Sequence, residues 1–222
     1  MTDGNEAPSR LDTGSKVDPW RLALLLSGTG RTLENLLATI ARGELDARVV
    51  AVVSSVAGAR GLQVADSAGI RGYLVPRRAF ESDAAFSTAV YDTLMPHQPH
   101  LLLLAGFLRR LVVPPAWEGR ILNIHPALLP EAAAYAAGRG RYGVHVHAAV
   151  LANGDTRTGA TVHIVDNDYD AGPPVLRAEI PVAPHDTPAT LAARVFAAER
   201  ALYPAAIRRY VTAHPELRGD RG

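Results

Sequence analysis

The chain has 222 residues, 48% of them hydrophobic and 20% charged, with a formal net charge of +1. That length and balance suit one large domain with a full core, and so small a charge gives no electrostatic reason to bind nucleic acid or an anionic membrane. There are no cysteines, which excludes disulfides and thiolate chemistry and fits a reducing, cytoplasmic setting; no apolar run reaches the length of a membrane span, the first residues are not signal-like, and there is no internal repeat.

Residues 1–19 are polar and aperiodic and read as a disordered tail. Residues 20–214 carry the periodic elements, and 215–222 read as a frayed end. Trp20 to Leu26 is a continuous apolar strand of the kind a parallel sheet buries on both faces. Ser27-Gly-Thr-Gly-Arg-Thr32 follows, then Leu33, Leu36, Leu37 and Ile40 at helical spacing, with Gly43 ending the helix. A glycine loop between a first strand and a first helix is either a phosphate cradle or a plain tight turn. Leu33 occupies the place of the third glycine of the dinucleotide fingerprint, and the Walker lysine is missing, so nicotinamide and ATP binding are disfavoured.

The alternation continues with a strand from Ala47 to Val53, a helix from Ala59 to Ala68, a short strand from Gly72 to Val75, and a helix capped by Ser82 that runs to about Met95. Leu101 to Leu104 is another wholly apolar strand, with Gly106-Phe-Leu-Arg-Arg-Leu111 at its carboxyl end. Ile121 to His125 is a strand stopped by Pro126. After Pro130, residues 131–143 are less regular, with alanines able to hold one helical turn and Gly138 to Gly143 reading as a mobile loop. A helix over Val144 to Leu151, a strand over Gly159 to Val165, an acidic turn over Asp166 to Gly172 and a returning strand over Val175 to Val182 come next. Asp186-Thr-Pro188 caps a long last helix containing Leu191, Val195, Glu199, Leu202 and Ile207. Strand–helix alternation of this kind predicts an α/β fold: a single doubly wound, mostly parallel, Rossmann-like sheet of about seven strands with right-handed crossovers.

Asn123 and His125 alternate with Leu122 and Ile124, so their side chains share one side of the strand at its carboxyl end, where open α/β sheets bind ligands. They are either two satisfied polar groups or part of a site. With the Gly28/Gly30 loop and the turn ending in Asp170 they converge on one sheet edge. A carboxylate beside an imidazole raises its pKa, and an imidazolium with an amide makes a donor pair for a developing oxyanion. No serine or cysteine has a base at recognisable spacing, which favours direct acyl transfer to the substrate's own amine.

Asn123-Ile-His125-Pro, Ser27-Gly-Thr-Gly30, Ala105-Gly-Phe-Leu-Arg109, Gly159-Ala-Thr-Val-His163 and Asp166 with Asp170-Ala-Gly-Pro173 occur in one order between about Arg21 and Tyr210. Together they resemble the phosphoribosylglycinamide formyltransferase family, folate-dependent enzymes of purine synthesis. The resemblance implies transfer of a formyl group from 10-formyltetrahydrofolate to the amine of glycinamide ribonucleotide, without a metal, a nucleic acid or a membrane; monomer and homodimer both stay open. It implies that His125 is the general acid, that Asn123 helps it hold the oxyanion, and that Asp170 keeps His125 protonated. Gly30, Arg31 and Thr32 match the phosphate loop, and Glu199 the acidic residue that meets the nucleotide. Leu108, Arg109, Arg110 and Leu111 match one pterin segment, Asp166, Asn167, Asp168, Tyr169 and Asp170 the other, and Thr161 a small hydroxyl residue behind the site. Asp83 stands where an arginine often meets the folate tail, which implies that other cations serve the tail. Arg139 and Arg141 either contact a phosphate or a glutamate or sit in a solvated loop.

His145, His147 and His163 are expected to pack or to hydrogen-bond rather than to ligate a metal, since His145 and His147 sit two apart on a helix. Asp166 and Asp168 are by default turn residues. Formyltetrahydrofolate deformylase and methionyl-tRNA formyltransferase share the catalytic types but carry a further domain at one end, for which this chain has no room. An inactive binding homologue need not have kept Asn123, His125 and Asp170 together.

Overall fold

In the computed structural model, which describes residues 18–138 and 142–219, strands β1 (Trp20–Leu26), β2 (Ala47–Ser54), β3 (Gly72–Leu74), β4 (Leu101–Leu104), β5 (Ile121–His125), β6 (Arg157–Ile164) and β7 (Pro174–Pro181) form one sheet in the order β3-β2-β1-β4-β5-β6-β7. The first five pair in parallel, whereas β6 and β7 are antiparallel to their neighbours. The helices are α1 (Arg31–Ala41), α2 (Arg60–Ser67), α3 (Asp83–Leu94), a single turn α4 (Ala133–Ala136), α5 (Val144–Ala152) and α6 (Pro188–Ala213).

The apolar runs of β1 and β4 follow from burial on both faces. Trp20, Leu22, Leu24 and Leu26 enter one core with Leu33, Leu36, Leu191, Val195 and Ile207, while Ala23 and Leu25 enter a second with Phe86, Val90 and Leu94. Leu101 and Leu103 face the first core, Leu102 and Leu104 the second. Ser82 caps α3 by accepting from the Ala85 N–H at 3.1 Å, and Thr187 and Thr190 form a reciprocal capping box at the start of α6. Pro204 lies inside α6 and supplies no N–H to the Arg200 carbonyl. Asn35 of α1 donates to that carbonyl instead, at 2.8 Å.

Residues 1–17, 139–141 and 220–222 lie outside the described residues; they include most of the expected tail, Arg139 and Arg141. The expected fraying from 215 onward is corrected for Pro215–Arg218, which form a 3₁₀ turn. Among the contacts that hold it, Leu217 packs on the first core, Arg120 donates to the Leu217 carbonyl at 2.7 Å, and the Arg218 guanidinium lies 4.5 Å from the centre of the Trp20 ring.

Candidate active site

β1 and β4 are neighbours, but the chain leaves β1 toward β2 and leaves β4 toward β5. The crevice at their carboxyl ends is therefore the switch point of the sheet. A cavity of about 660 Å³ opens there, lined by Gly28 to Thr32, Ala105 to Arg109, Asn123 to Pro126, Tyr169, Asp170 and Glu199, with Tyr142, Val144 and His147 closing one side.

At one end lies the loop from β1 to α1. Gly30 has φ +77°, and a Cβ there would fall 2.6 Å from the Gly61 backbone, so both the turn and the approach of α2 require glycine. The Arg31 guanidinium stacks 4.0 Å from the centre of the Phe196 ring. Arg60 braces the loop by donating to the Thr29 carbonyl at 2.9 Å while pairing with Glu34 at 2.5 Å. Glu199 makes no hydrogen bond or ion pair among the described residues; burial pushes its pKa up to about 7 against the pull of the Arg31 charge.

The other end is the corner where β5 and β6 pair. Asp170 Oδ1 lies 3.6 Å from His125 Nδ1, 3.6 Å from His163 Nε2 and 3.3 Å from Asn123 Nδ2, and Oδ2 accepts from the Gly138 N–H at 2.9 Å. Asp170 itself has φ +53°, a left-handed conformation uncommon outside glycine and found at constrained sites. Burial raises its pKa, but the imidazoles and the Gly138 N–H outweigh burial and hold it below the usual value. His125 Nε2 faces the Ala136 carbonyl at 2.8 Å. A carbonyl only accepts, so Nε2 carries the hydrogen, and Nδ1, beside Asp170, is the nitrogen whose proton comes and goes.

Asp170 raises the His125 pKa, as the sequence suggests, but burial acts the other way. The ring is buried, and burial lowers its pKa further than the Asp170 charge and the Ala136 carbonyl raise it. Asp170 offsets desolvation here without overcoming it.

The sequence-based site residues separate into groups. Asn123, His125, Asp170, Gly30, Arg31, Thr32, Glu199, Leu108, Arg109 and Tyr169 line the one cavity. Arg110 faces an adjoining cavity of about 570 Å³ with Arg77, Asp83 and Arg109, and donates to the Asn167 carbonyl at 3.0 Å. Leu111 is buried in the second core and does not line the cavity. Asn167 is pinned to the Val113 backbone, and Asp166 accepts from the Asp168 N–H, so these three support the turn rather than line the cavity. Thr161 lies behind the site, accepting from Leu129 N–H at 2.9 Å and donating to the Ala127 carbonyl at 2.8 Å. Asp83 pairs with Arg77 at 2.6 Å.

The three histidines pack or hydrogen-bond, each in a different way. His145 is exposed, edge-on to Tyr142. His147 is buried beside the cavity, yet its Nδ1 has no partner among the described residues, and burial, with repulsion from the His125 ring when that is protonated, lowers its pKa to about 4. His163 does hydrogen-bond, but inside the Asn123–Asp170 cluster. The signal for it lay in strand pairing: β6 runs antiparallel to β5 with His163 opposite Asn123 and Thr161 opposite His125. Phe196 was missed because nothing local links it to Arg31.

A formyl transferase family model matches residues 20–207. The chain is 35% identical to the phosphoribosylglycinamide formyltransferase of Escherichia coli K12, covering 84% of each protein. Its fold superposes on the glycinamide ribonucleotide transformylase 1 of Symbiobacterium toebii with a TM-score of 0.80 at 34% identity, covering 89% of this chain and 90% of that one. It is also 38% identical to the bovine trifunctional purine biosynthetic protein adenosine-3, of whose length it spans 18%.

Proposed function

The chain belongs to the formyl transferase family, and from that premise we propose that it moves the formyl group of 10-formyltetrahydrofolate onto the primary amine of glycinamide ribonucleotide, a step of purine synthesis. The observation that carries this reading is one carboxylate, Asp170, lying within 3.6 Å of His125 Nδ1 and 3.3 Å of Asn123 Nδ2 in the cavity that also holds the Gly30–Thr32 loop. An acid, an amide and an anion cradle share one space.

The nucleotide end suits a phosphate monoester. Free N–H groups at the start of α1 and the positive helix end favour an anion, and the Arg31 guanidinium is held by a ring rather than by a carboxylate. Glu199, without a hydrogen-bonding partner among the described residues, suits sugar hydroxyls. The folate end exposes Leu108, Tyr142 and Tyr169, flat apolar surface that a pterin can cover. Arg77, Arg109 and Arg110 in the adjoining cavity supply cations for a carboxylate tail in place of the arginine absent at Asp83. The folate supplies the formyl carbon.

Transfer between two nitrogens is proton-neutral: the attacking amine loses one proton and the departing folate nitrogen gains one. His125 meets the oxyanion that forms on the formyl oxygen, and the buried, water-poor corner makes that charge interaction strong. The growing negative charge also favours the imidazolium, offsetting the burial that holds the resting ring neutral. Asn123 turns to the same oxyanion the N–H that rests on Asp170, its longer hydrogen bond. Asp170 and Nδ1 carry the proton between the two nitrogens.

Incubation with 10-formyltetrahydrofolate, with and without glycinamide ribonucleotide, tests the reading. Nucleotide-dependent loss of the formyl group supports transfer. Loss without nucleotide makes the protein a hydrolase, and no loss from the folded protein makes it a binding homologue.

A further inference from the structure

We propose that His163 is the positioning residue that decides which face Asn123 turns to the reacting centre. An asparagine amide is useful to an oxyanion only if its nitrogen faces it; rotated by half a turn, it presents an oxygen to a negative charge. Something must therefore choose between the two orientations. His163 Nδ1 lies 3.0 Å from the Ile164 carbonyl, which accepts only, so Nδ1 carries the ring hydrogen. Nε2 then offers a lone pair, and Asn123 Nδ2 is 3.1 Å away. The second N–H of Asn123 points to Asp170 Oδ1 at 3.3 Å. In the opposite orientation the amide oxygen would face both a lone pair and a carboxylate, and two attractive contacts would become two repulsive ones.

His163 reaches this place because it stands directly across the β5–β6 ladder from Asn123, and its ring is buried. Nε2 is closer to Asn123 than to Asp170, at 3.1 against 3.6 Å, so the lone pair is committed to the amide. One N–H of Asn123 is thus anchored permanently and the other stays poised between Asp170 and the ligand. The inference rests on the formyl-transfer reading for its consequence but not for its geometry.

Three proteins and one background test it. His163→Leu removes the acceptor; His163→Gln places an amide oxygen near the position of Nε2. Loss of one correctly aimed oxyanion donor predicts a fall in kcat of about 10²-fold for His163→Leu, with KM for both substrates changed less than about threefold. His163→Gln should recover most of that loss. In an Asn123→Ala background the same His163→Leu change should alter kcat less than about twofold, since there is no amide left to orient. Equal losses in Leu and Gln, or a full further loss in the Asn123→Ala background, would overturn the proposal. Should wild-type protein transfer no formyl group, the Asn123 carboxamide ¹H–¹⁵N pair reads the inference without turnover. An N–H shifted by hydrogen bonding in wild type and His163→Gln but not in His163→Leu supports it; the same spectrum in all three sinks it while leaving the formyl-transfer question to its own assay.

Discussion

At the β5–β6 end of the cavity, Asn123 bonds to both His163 and Asp170, and His125 bonds to the Ala136 carbonyl. At the β1–α1 end, Glu199 has no hydrogen bond among the described residues and Arg31 rests on a ring face. One end makes its electrostatics from its own side chains. The other holds a cation and a carboxyl group close together without letting them satisfy each other. Polar groups withdrawn from water are costly unless paired, so the second arrangement is maintained at the expense of stability and is completed only by a ligand. The reacting end should therefore respond to substitution in turnover, and the nucleotide end in affinity and folding stability.

The largest break of this contrast comes at His125. His125→Ala removes the proposed proton donor, and a fall in kcat of about 10²–10⁴-fold is expected with little change in the binding of either substrate. Asp170→Asn should follow the same pattern. Because the Asp170 charge raises the His125 pKa against burial, its loss lowers that pKa further. The limb of the pH–rate profile that reports the imidazolium then moves to lower pH. A variant that loses affinity instead of turnover would merge the two ends into one functional unit.

Glu199 gives the next largest effect, and it is a stability effect. Its pKa stands at about 7 in the fold against an ordinary 4.5. A carboxyl group whose folded pKa is raised contributes fully below pH 4.5 and loses that contribution as pH climbs toward 7, because the unfolded chain ionises first. At ~1.4 kcal/mol per unit, Glu199→Gln should match the wild type near pH 4 and exceed it by up to about 3 kcal/mol at pH 8. Urea unfolding of both proteins across this range measures the difference. A constant difference would mean that the carboxyl group is already satisfied.

Gly30→Ala comes third. The added Cβ meets backbone at 2.6 Å and the residue sits at φ +77°, a combination expected to cost about 1–3 kcal/mol. The start of α1 must shift, so nucleotide KM should rise by about tenfold or more, on the scale of ~1.4 kcal/mol per tenfold, with kcat held. A fall in kcat at unchanged KM would show that the loop positions the amine rather than the phosphate.

The same contrast explains what the sequence made legible. The runs Trp20–Leu26 and Leu101–Leu104 announce two-sided burial because alternate residues feed separate cores, and Ser82 and Thr187 announce helix starts because capping is local. Asn123 and His125 were readable as a pair because both stand on one strand. His163 was not readable in its role, since only the antiparallel turn of β6 brings it across from Asn123. The attraction of Asp170 for His125 is a pairwise effect that motif spacing suggests, but burial belongs to the whole fold and here acts against it more strongly. The 3₁₀ turn at Pro215–Arg218 is held by Arg120 and Trp20, residues about a hundred and two hundred positions away.

The smallest effect belongs to Phe196. Its ring touches no reacting atom; it carries the Arg31 guanidinium at 4.0 Å from its centre. A ring face attracts a cation without neutralising it, so the guanidinium is held in place while its N–H donors stay free for a phosphate. Phe196→Leu keeps the apolar contact and removes the quadrupole, which is worth about 0.5–1 kcal/mol at partly exposed sites. Nucleotide affinity should therefore weaken about two- to fivefold, with kcat and folate affinity unchanged, in a direct titration with glycinamide ribonucleotide. Arg31→Gln should weaken it further, and in that background Phe196→Leu should add nothing, because the ring then has no cation to hold. Independent effects of the two substitutions would mean that Phe196 acts only as packing between α1 and α6.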